Sequence, residues 1–199
     1  MPAKTSHTLI RHILHAGGKQ RGPLLCVVVT TYNTAEYVQL TLTSILSNSY
    51  SNLDVIVVDD SSTDQTKSII QYNEWMDDRV TGVFLPSNTL GGAGTPTNIG
   101  LDRCRGKYVM LVDGDDWVEP DFFAKMVARA EAGAHDVVVS NFDIFDQSLV
   151  REVPAYDNQW WATLRKGPGV GSQASASLQS IGHPWRAWYC SFVTMCSSV

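Results

Sequence analysis

The chain has 199 residues, 44% of them hydrophobic and 18% charged, and is long enough to bury a complete core. Its net charge of −5 disfavours nucleic acid as the main partner. No run approaches the ~18 consecutive apolar residues that a membrane-spanning helix needs, so we expect a globular, cytoplasmic protein. The cysteines lack a C-x-x-C pair and are typical of reduced thiols, not of a disulfide framework or a zinc site; they are Cys26, Cys104, Cys190 and Cys196.

Residues 1–22 form a separate basic leader. Cationic and histidine side chains surround a few apolar ones there, which predicts a short amphipathic helix. Two interpretations remain open, because such a helix either lies on an anionic membrane surface or frays and packs on the domain. The leader lacks the apolar segment of a secretory signal. Any membrane contact is therefore expected to be peripheral.

Five apolar runs are predicted to be strands: residues 24–30, 53–58, 80–85, 108–112 and 136–140. The run at 108–112 shows no alternation with polar residues, which is typical of a strand covered on both faces in a parallel sheet. Helical patterns separate the strands. Strict alternation of strand and helix predicts an α/β fold, a doubly wound parallel sheet with helices on both faces.

Four helices are predicted between and after these strands. Thr34 is expected to cap the first, and residues 61–64 to open the second. Thr95 and Pro96 predict the start of the third helix, because a capping residue there precedes the proline favoured in the first turn. Gly106 is expected to end that helix.

Polar clusters follow the carboxyl ends of four strands, at residues 30–33, 59–61, 87–95 and 113–116. In a doubly wound sheet the carboxyl ends of the strands share one edge, and ligands bind beyond it. The four clusters therefore predict one binding site.

Asp113 and Asp115 stand two residues apart at the end of an apolar strand, so they project to the same side of an extended segment. Negative charge in such a place calls for a cation, and hard carboxylate oxygens suit Mg²⁺ or Mn²⁺. The alternative is a solvated acidic turn in front of Pro120.

Several nucleotide-binding classes do not fit. The turn after the first strand has no glycine, which disfavours a dinucleotide-binding domain, and no P-loop sequence is present. A phosphatase built on a D-x-D pair would carry that pair on its first strand. What remains is a nucleotide whose diphosphate is held by a metal ion.

Four motifs then carry a family resemblance: VVVTTYN (27–33), VIVVDDSSTDQT (55–66), GGAGTPTNIGL (91–101) and YVMLVDGDDWVEP (108–120). In this order they resemble the nucleotide-sugar-binding core of the family 2 glycosyltransferases, which have a Rossmann-like GT-A fold. The resemblance implies a core at residues 23–150 and a partial acceptor-side region at 151–199, so we expect a truncated enzyme.

The resemblance also implies roles for single residues. The donor-binding residues would be Thr30, Tyr32, Asn33, Asp59, Asp60, Gly92, Asn98 and Asp113, and the metal ligands Asp113 and Asp115, with Asp116 in support. Of these, Asp59 or Asp60 would bind the base, and Asp113 would face the ribose. Two alternatives stay open: the residues at 59 and 60 cap the next helix, or Tyr32 only packs.

The sequence also departs from the family pattern. Thr97 precedes Asn98 where family members often carry an arginine, which removes a cation near the donor phosphates. Beyond residue 146 the only acids are Glu152 and Asp157, so the catalytic base is unknown. Residues 183–192 resemble a P-W-x-K-x-Y-x-x-x-F segment found downstream in some of these enzymes. The tryptophans of this tail are predicted either to pack on the sheet or to bind acceptor sugar.

Two functions follow from the resemblance. The first is an inverting glycosyltransferase that uses a nucleotide-sugar donor, with a UDP-sugar favoured, and a saccharide or lipid-linked acceptor. The second is a donor-binding domain without catalytic competence. A sugar nucleotidyltransferase is disfavoured, because its basic glycine-rich loop after the first strand is absent.

Overall fold

The structure is a computed structural model, and it describes residues 22–133, 135 and 137–140 together with the backbone of residues 144–146 and 151–153. The described residues divide into two units. The first reaches residue 140 and carries every element discussed below. The second contains an antiparallel pair of short strands, β5 (Ile144–Asp146) and β6 (Arg151–Val153).

Four parallel strands form the sheet of the first unit, in the order β3-β2-β1-β4. Their bounds are Leu25–Thr31 for β1, Leu53–Asp59 for β2, Val80–Phe84 for β3 and Tyr108–Asp113 for β4. The register sets Thr31 beside Asp59 and Thr30 beside Asp113. The carboxyl ends of three strands, with their polar side chains, therefore meet at one edge of the sheet.

Four helices cover the two faces of this sheet: α1 (Val38–Leu46), α2 (Thr66–Met76), α3 (Gly94–Leu101) and α4 (Phe122–Gly133). On one face, Val27 and Val29 pack with apolar side chains of α1, α2 and α4. On the other face, Val28 packs with residues of and around α3. The predicted α/β class, with a parallel sheet and helices on both faces, is confirmed.

The approach of α3 to β1 depends on a glycine. A Cβ atom at Gly100 would lie 2.3 Å from Cγ1 of Val28, a distance that no packed side chain tolerates. Because this glycine lets the helix sit directly on the strand, the loop before α3 is held close to the carboxyl edge of the sheet.

Several predicted boundaries are wrong. The fifth strand predicted at 136–140 is not formed in the described residues 137–140, where Val138 is buried but the backbone joins no ladder. The third helix ends at Leu101 and not at Gly106, which instead enters β4 so tightly that a Cβ there would come within 2.7 Å of the Cys26 nitrogen. The second helix begins at Thr66, later than predicted.

The first helix lacks the predicted side-chain cap. Its N-cap residue is Tyr37, and Thr34 contributes only its carbonyl oxygen, which accepts hydrogen bonds from the N–H groups of Tyr37 and Val38. Within the described residues, β4 is the outermost strand, and its side chains alternate between buried and half-buried. The prediction of a strand covered on both faces holds in part, because Tyr108, Met110 and Val112 lie in one core while Val109 and Leu111 pack half-buried against the other.

The prediction of reduced thiols is wrong for two cysteines. Cys26 on β1 and Cys104 in the turn after α3 form a disulfide, with a Cα–Cα distance of 5.6 Å. Their 78-residue separation in sequence gave no sign of this pairing, which arises because α3 packs on the face of the sheet to which Cys26 points. Cys190 and Cys196 lie outside the described residues.

Other predictions also fall outside the described residues, namely the basic leader, except Gly22, and the tryptophan-rich tail. The domain boundaries after residues 22 and 150 stay predictions. Within the part of the chain that the structure describes, no helix has the length and apolar character needed to cross a membrane.

Candidate functional site

A cleft of about 550 Å³ opens at the carboxyl edge of the sheet. Its walls come from the segments that follow β1, β2, β3 and β4, and from the first turn of α3. The lining residues are Thr30, Thr31, Tyr32, Thr34, Asp60, Asn88, Leu90, Gly92, Ala93, Pro96, Asp113 and Asp115. The predicted convergence of four polar clusters is therefore seen in the structure.

The cleft does not contain all the predicted site residues. Those that line it are Thr30, Tyr32, Asp60, Gly92, Asp113 and Asp115. Four others, Asn33, Asp59, Asn98 and Asp116, do not line it. Asp116 is buried at 8% exposure, and Asn33 and Asp59 have hydrogen-bond partners that explain their positions.

The acidic turn after β4 is fastened to β1. The Thr30 hydroxyl donates a hydrogen bond to Oδ1 of Asp113 (3.3 Å), and the N–H of Gly114 donates to the Thr30 carbonyl (2.9 Å). A Cβ atom at Gly114 would lie 2.5 Å from Cγ2 of Thr31, so only glycine fits here. This close fit fixes where Asp113 and Asp115 enter the cleft.

Asp115 lies in an unfavourable electrostatic environment. Burial raises the pKa of its carboxyl group, the charge of Asp113 raises it further, and a hydrogen bond from its own backbone N–H offsets this only in part. A divalent cation between the two carboxylates would relieve both effects. The described residues contain no cluster of three or more acidic, histidine or cysteine ligands. Two carboxylates fit the way Mg²⁺ is commonly held, with phosphate oxygens and waters completing its shell.

The Asp59 carboxylate is used by the protein itself. Its side chain is 1% exposed and accepts hydrogen bonds from the Thr31 hydroxyl (3.1 Å) and from both the N–H (3.1 Å) and the hydroxyl of Ser62. These bonds hold a turn in which Ser61 adopts a φ of 64°. The alternative that Asp59 caps the next helix is wrong, because α2 begins only at Thr66.

Asp60 faces the cleft and also anchors the loop that follows β3. Its carboxylate oxygens accept hydrogen bonds from the Thr89 N–H (3.0 Å) and the Thr89 hydroxyl (2.9 Å), while its carbonyl accepts one from Nδ2 of Asn88 (3.2 Å). A carboxylate oxygen has room for a second donor, so Asp60 can still accept a hydrogen bond from a ligand. The sequence did not reveal the role of Thr89, although its position in the cluster at 87–95 was a signal.

Asn33 joins two loops. It adopts a φ of 52°, its N–H donates to the hydroxyl of Ser62 (2.9 Å), and its side-chain oxygen accepts from the N–H of Thr63 (2.8 Å). Asn98 is an exposed residue of α3 outside the cleft. Tyr32, in contrast, is 50% exposed and lines the cleft, so its ring is available for stacking.

No lysine or arginine lines the cleft among the described residues, whereas three aspartates do. The favourable features for an anion are the backbone N–H groups at the start of α3, where Gly92, Ala93 and Pro96 form one wall. The cleft can therefore hold a polar ligand of nucleotide size whose negative charge is balanced mainly by a cation.

Comparison with known proteins agrees with this geometry. The model of Glycosyl transferase family 2 matches residues 26–182. Glycosyltransferase GlyG of Streptococcus pneumoniae is 34% identical over 125 residues, which are 63% of this chain and 41% of GlyG. Succinoglycan biosynthesis protein ExoO of Rhizobium meliloti is 33% identical over 122 residues, 61% of this chain and 34% of ExoO. The chain thus spans less than half of the length of these relatives.

The fold has a counterpart among solved structures. TarS of S. aureus (residues 1–349) superposes with a TM-score of 0.54 and 31% sequence identity, over 57% of this chain and 34% of the TarS chain. TarS has also been solved in complex with UDP-GlcNAc and with UDP. The family resemblance and the GT-A-like fold predicted from the four motifs are both confirmed.

Proposed function

The chain belongs to glycosyl transferase family 2, and on that premise we propose that its cleft binds a nucleotide-diphosphate sugar for transfer to an acceptor hydroxyl. The observation that carries this proposal is the convergence in one cleft of Asp60, the start of α3 and the Asp113–Asp115 turn. Together they offer a hydrogen-bond acceptor, an anion-favouring helix end and a pair of metal-binding carboxylates. The cleft volume of about 550 Å³ is within the range of small-ligand sites.

The donor is proposed to be a UDP-sugar. TarS, which is 31% identical, has been solved with UDP-GlcNAc and with UDP. In this chain Asp60 would accept a hydrogen bond from the base, Tyr32 would offer its ring to the base, and Thr30 would lie on the ribose side next to Asp113. Of the remaining predicted donor contacts, Gly92 lies in the wall that would face the diphosphate, whereas Asn98 lies outside the cleft and is not assigned a contact.

Mg²⁺ or Mn²⁺ is the proposed cofactor, held directly by Asp115 and either directly or through water by Asp113. When bound, the ion would neutralise charge on the departing nucleoside diphosphate. The residues of the chain orient the donor: Thr30 fixes Asp113, and the α3 N-terminus receives a phosphate group. The reaction is proposed to invert the anomeric centre, with a carboxylate deprotonating the acceptor hydroxyl as it attacks from the opposite face.

The acceptor is proposed to be a saccharide or a lipid-linked saccharide, and the name of ExoO supports a place in polysaccharide biosynthesis. Localisation in the cytoplasm, with peripheral membrane contact through the basic leader, also stays a proposal. The Cys26–Cys104 disulfide weighs against a reducing compartment, because such bonds are rare there.

The proposal is tested by supplying UDP-, GDP- and dTDP-sugars with Mn²⁺ and measuring binding and slow hydrolysis of each donor by this chain. Binding of one donor class, with release of its nucleoside diphosphate, is the expected result. Failure of the chain to bind or turn over any donor would contradict the proposal.

A donor-binding role without catalysis is the second candidate. It is favoured by one observation: in the described part of the chain, the acids that line the cleft are Asp60, Asp113 and Asp115, all of which have other proposed roles. None is left to serve as the base. Calorimetric binding of UDP without any transfer would favour this candidate, whereas rapid transfer by these 199 residues would eliminate it.

A further inference from the structure

Leu90 has an unusual backbone conformation for its residue type. Three described residues other than glycine have positive φ angles: Asn33 (52°), Ser61 (64°) and Leu90 (53°). Asparagine commonly adopts such angles, and serine is small and polar, whereas a bulky aliphatic residue rarely does. Only two residues further on, Gly92 adopts a φ of 66° without steric cost. The loop therefore carries backbone strain at Leu90 that a glycine there would avoid.

The strain at Leu90 is not offset by burial. The Leu90 side chain is 93% exposed, the most exposed of the large apolar side chains in the described residues. It nevertheless lines the cleft. Strained residues are found where the surrounding structure over-determines them, and they cluster at ligand sites.

Hydrogen bonds hold this conformation in place. The N–H of Leu90 donates to Oδ1 of Asn88 (2.8 Å), and Asn88 in turn donates to the carbonyl of Asp60 (3.2 Å). The preceding residue, Thr89, makes two hydrogen bonds to the Asp60 carboxylate. The loop backbone at Leu90 is thus tied to Asp60, the residue whose carboxylate is proposed to bind the base.

We infer that Leu90 is a donor-binding residue that packs against the nucleobase of the bound donor. This inference rests on the proposed function. A nucleobase has a polar edge and apolar faces, and the cleft supplies Asp60 for the edge and the Tyr32 ring for one face. Leu90 adds an apolar side chain to the lining of the same cleft, and covering that side chain on binding would offset part of the strain in the loop.

Calorimetric binding of UDP with Mn²⁺ to the 199-residue chain and two variants tests this inference. Leu90→Ala and Leu90→Gly both remove most of the side chain. Each is expected to weaken UDP binding by about fivefold, which corresponds to losing the burial of roughly half a leucine side chain on binding. Leu40→Ala and Leu101→Ala are matched controls, because both leucines are exposed but lie outside the cleft. The controls should bind UDP within about twofold of the wild type.

Thermal unfolding separates a ligand contact from a structural role. Glycine tolerates the left-handed backbone and alanine does not, so Leu90→Gly should melt about 2–4 °C above Leu90→Ala. If Leu90 only supported the fold, the variants would lose thermal stability and UDP affinity in proportion. The affinity for inorganic pyrophosphate is measured by displacement of UDP in the presence of Mn²⁺. It should be the same in the wild type and in both variants, because Leu90 is assigned to the base and not to the diphosphate.

Different failures of this experiment carry different meanings. If the wild type binds UDP and Leu90→Ala binds it equally well, the inference is wrong and the proposed function stands. The inference is also wrong if pyrophosphate binding falls by the same factor as UDP binding. A wild-type chain that binds no nucleoside diphosphate overturns the inference and the proposed function together.

Discussion

The two acidic turns at the carboxyl edge of the sheet differ in how their charges are satisfied. In the turn after β2, Asp59 and Asp60 accept hydrogen bonds from Thr31, Ser62 and Thr89. In the turn after β4, Asp115 is half-buried next to the like charge of Asp113, and both effects raise its pKa. The protein completes the first turn with its own donors, whereas the second turn is suited to a cation. Similar sequence patterns, Asp-Asp and Asp-Gly-Asp-Asp, therefore serve different purposes.

The largest expected effect on stability comes from the first turn. Asp59→Ala would leave the N–H and the hydroxyl of Ser62 without this acceptor and the Thr31 hydroxyl with only its longer bond to the Val58 carbonyl (3.4 Å), so the free energy of unfolding should fall by about 3 kcal/mol. Urea unfolding measures this. Asp115→Ala is the matched control, and without metal it should lower stability by less than about 1 kcal/mol. Equal losses in both variants would remove the distinction between the two turns.

Thr89 connects the first turn to the loop that carries Leu90. Thr89→Val keeps the N–H bond to Asp60 but loses the hydroxyl bond, and should lower the free energy of unfolding by about 1 kcal/mol. UDP affinity should fall about threefold, because Asp60 loses one of the bonds that orient it. Thr81→Val, an exposed change on β3, serves as the control in the same urea and calorimetry experiments. An unchanged UDP affinity for Thr89→Val would show that this contact does not position Asp60 for ligand.

A smaller effect concerns Asp64, which lies just beyond the first turn. Burial alone would raise its pKa, but hydrogen bonds from the Thr66 side chain, from the Thr66 and Ala35 N–H groups and from its own N–H together lower it. A carboxyl group whose pKa is lowered in the folded state stabilises the fold above its unfolded pKa of about 3.9, and this stabilisation is lost as the pH falls through the folded pKa.

Asp64→Asn should therefore reduce the free energy of unfolding by about 0.5 kcal/mol at neutral pH, a value kept low because the side chain is exposed. At a pH below the folded-state pKa of Asp64 the difference from the wild type should disappear. Urea unfolding at the two pH values measures it. A difference that is the same at both would mean that the charge of Asp64 contributes nothing.

The sheet was predictable from the sequence because apolar residues dominate its strands, although Asp54 interrupts β2 and Gly82 interrupts β3. The site edge was predictable because polar clusters follow all four strands. The helix boundaries were less predictable. The start of α2 depends on the turn that Asp59 and Asp64 build, and Gly106 is needed not to end α3 but for its close packing on the backbone of Cys26. Local propensity does not contain these contacts.

The sequence also could not show which of Asp59 and Asp60 faces the cleft. Adjacent residues at a strand end point to opposite sides, and only the structure identifies which side holds Thr31 and Ser62 and which side faces the cleft. The Cys26–Cys104 disulfide was missed for a related reason. It joins residues that are brought together by helix packing and not by any local spacing.

The central claim is that the Asp113–Asp115 turn holds a divalent cation for the donor diphosphate. Calorimetric titration of UDP with and without Mn²⁺, on the wild type and on Asp115→Asn, tests it most directly. Asp121→Asn is the control, because Asp121 is an exposed acid outside the cleft that pairs with Lys125. Mn²⁺ should strengthen UDP binding to the wild type and to the control by at least about 100-fold, and Asp115→Asn should lose this gain while unfolding at the same urea concentration or higher. Binding of UDP and Mn²⁺ to Asp115→Asn with wild-type affinity would contradict the account.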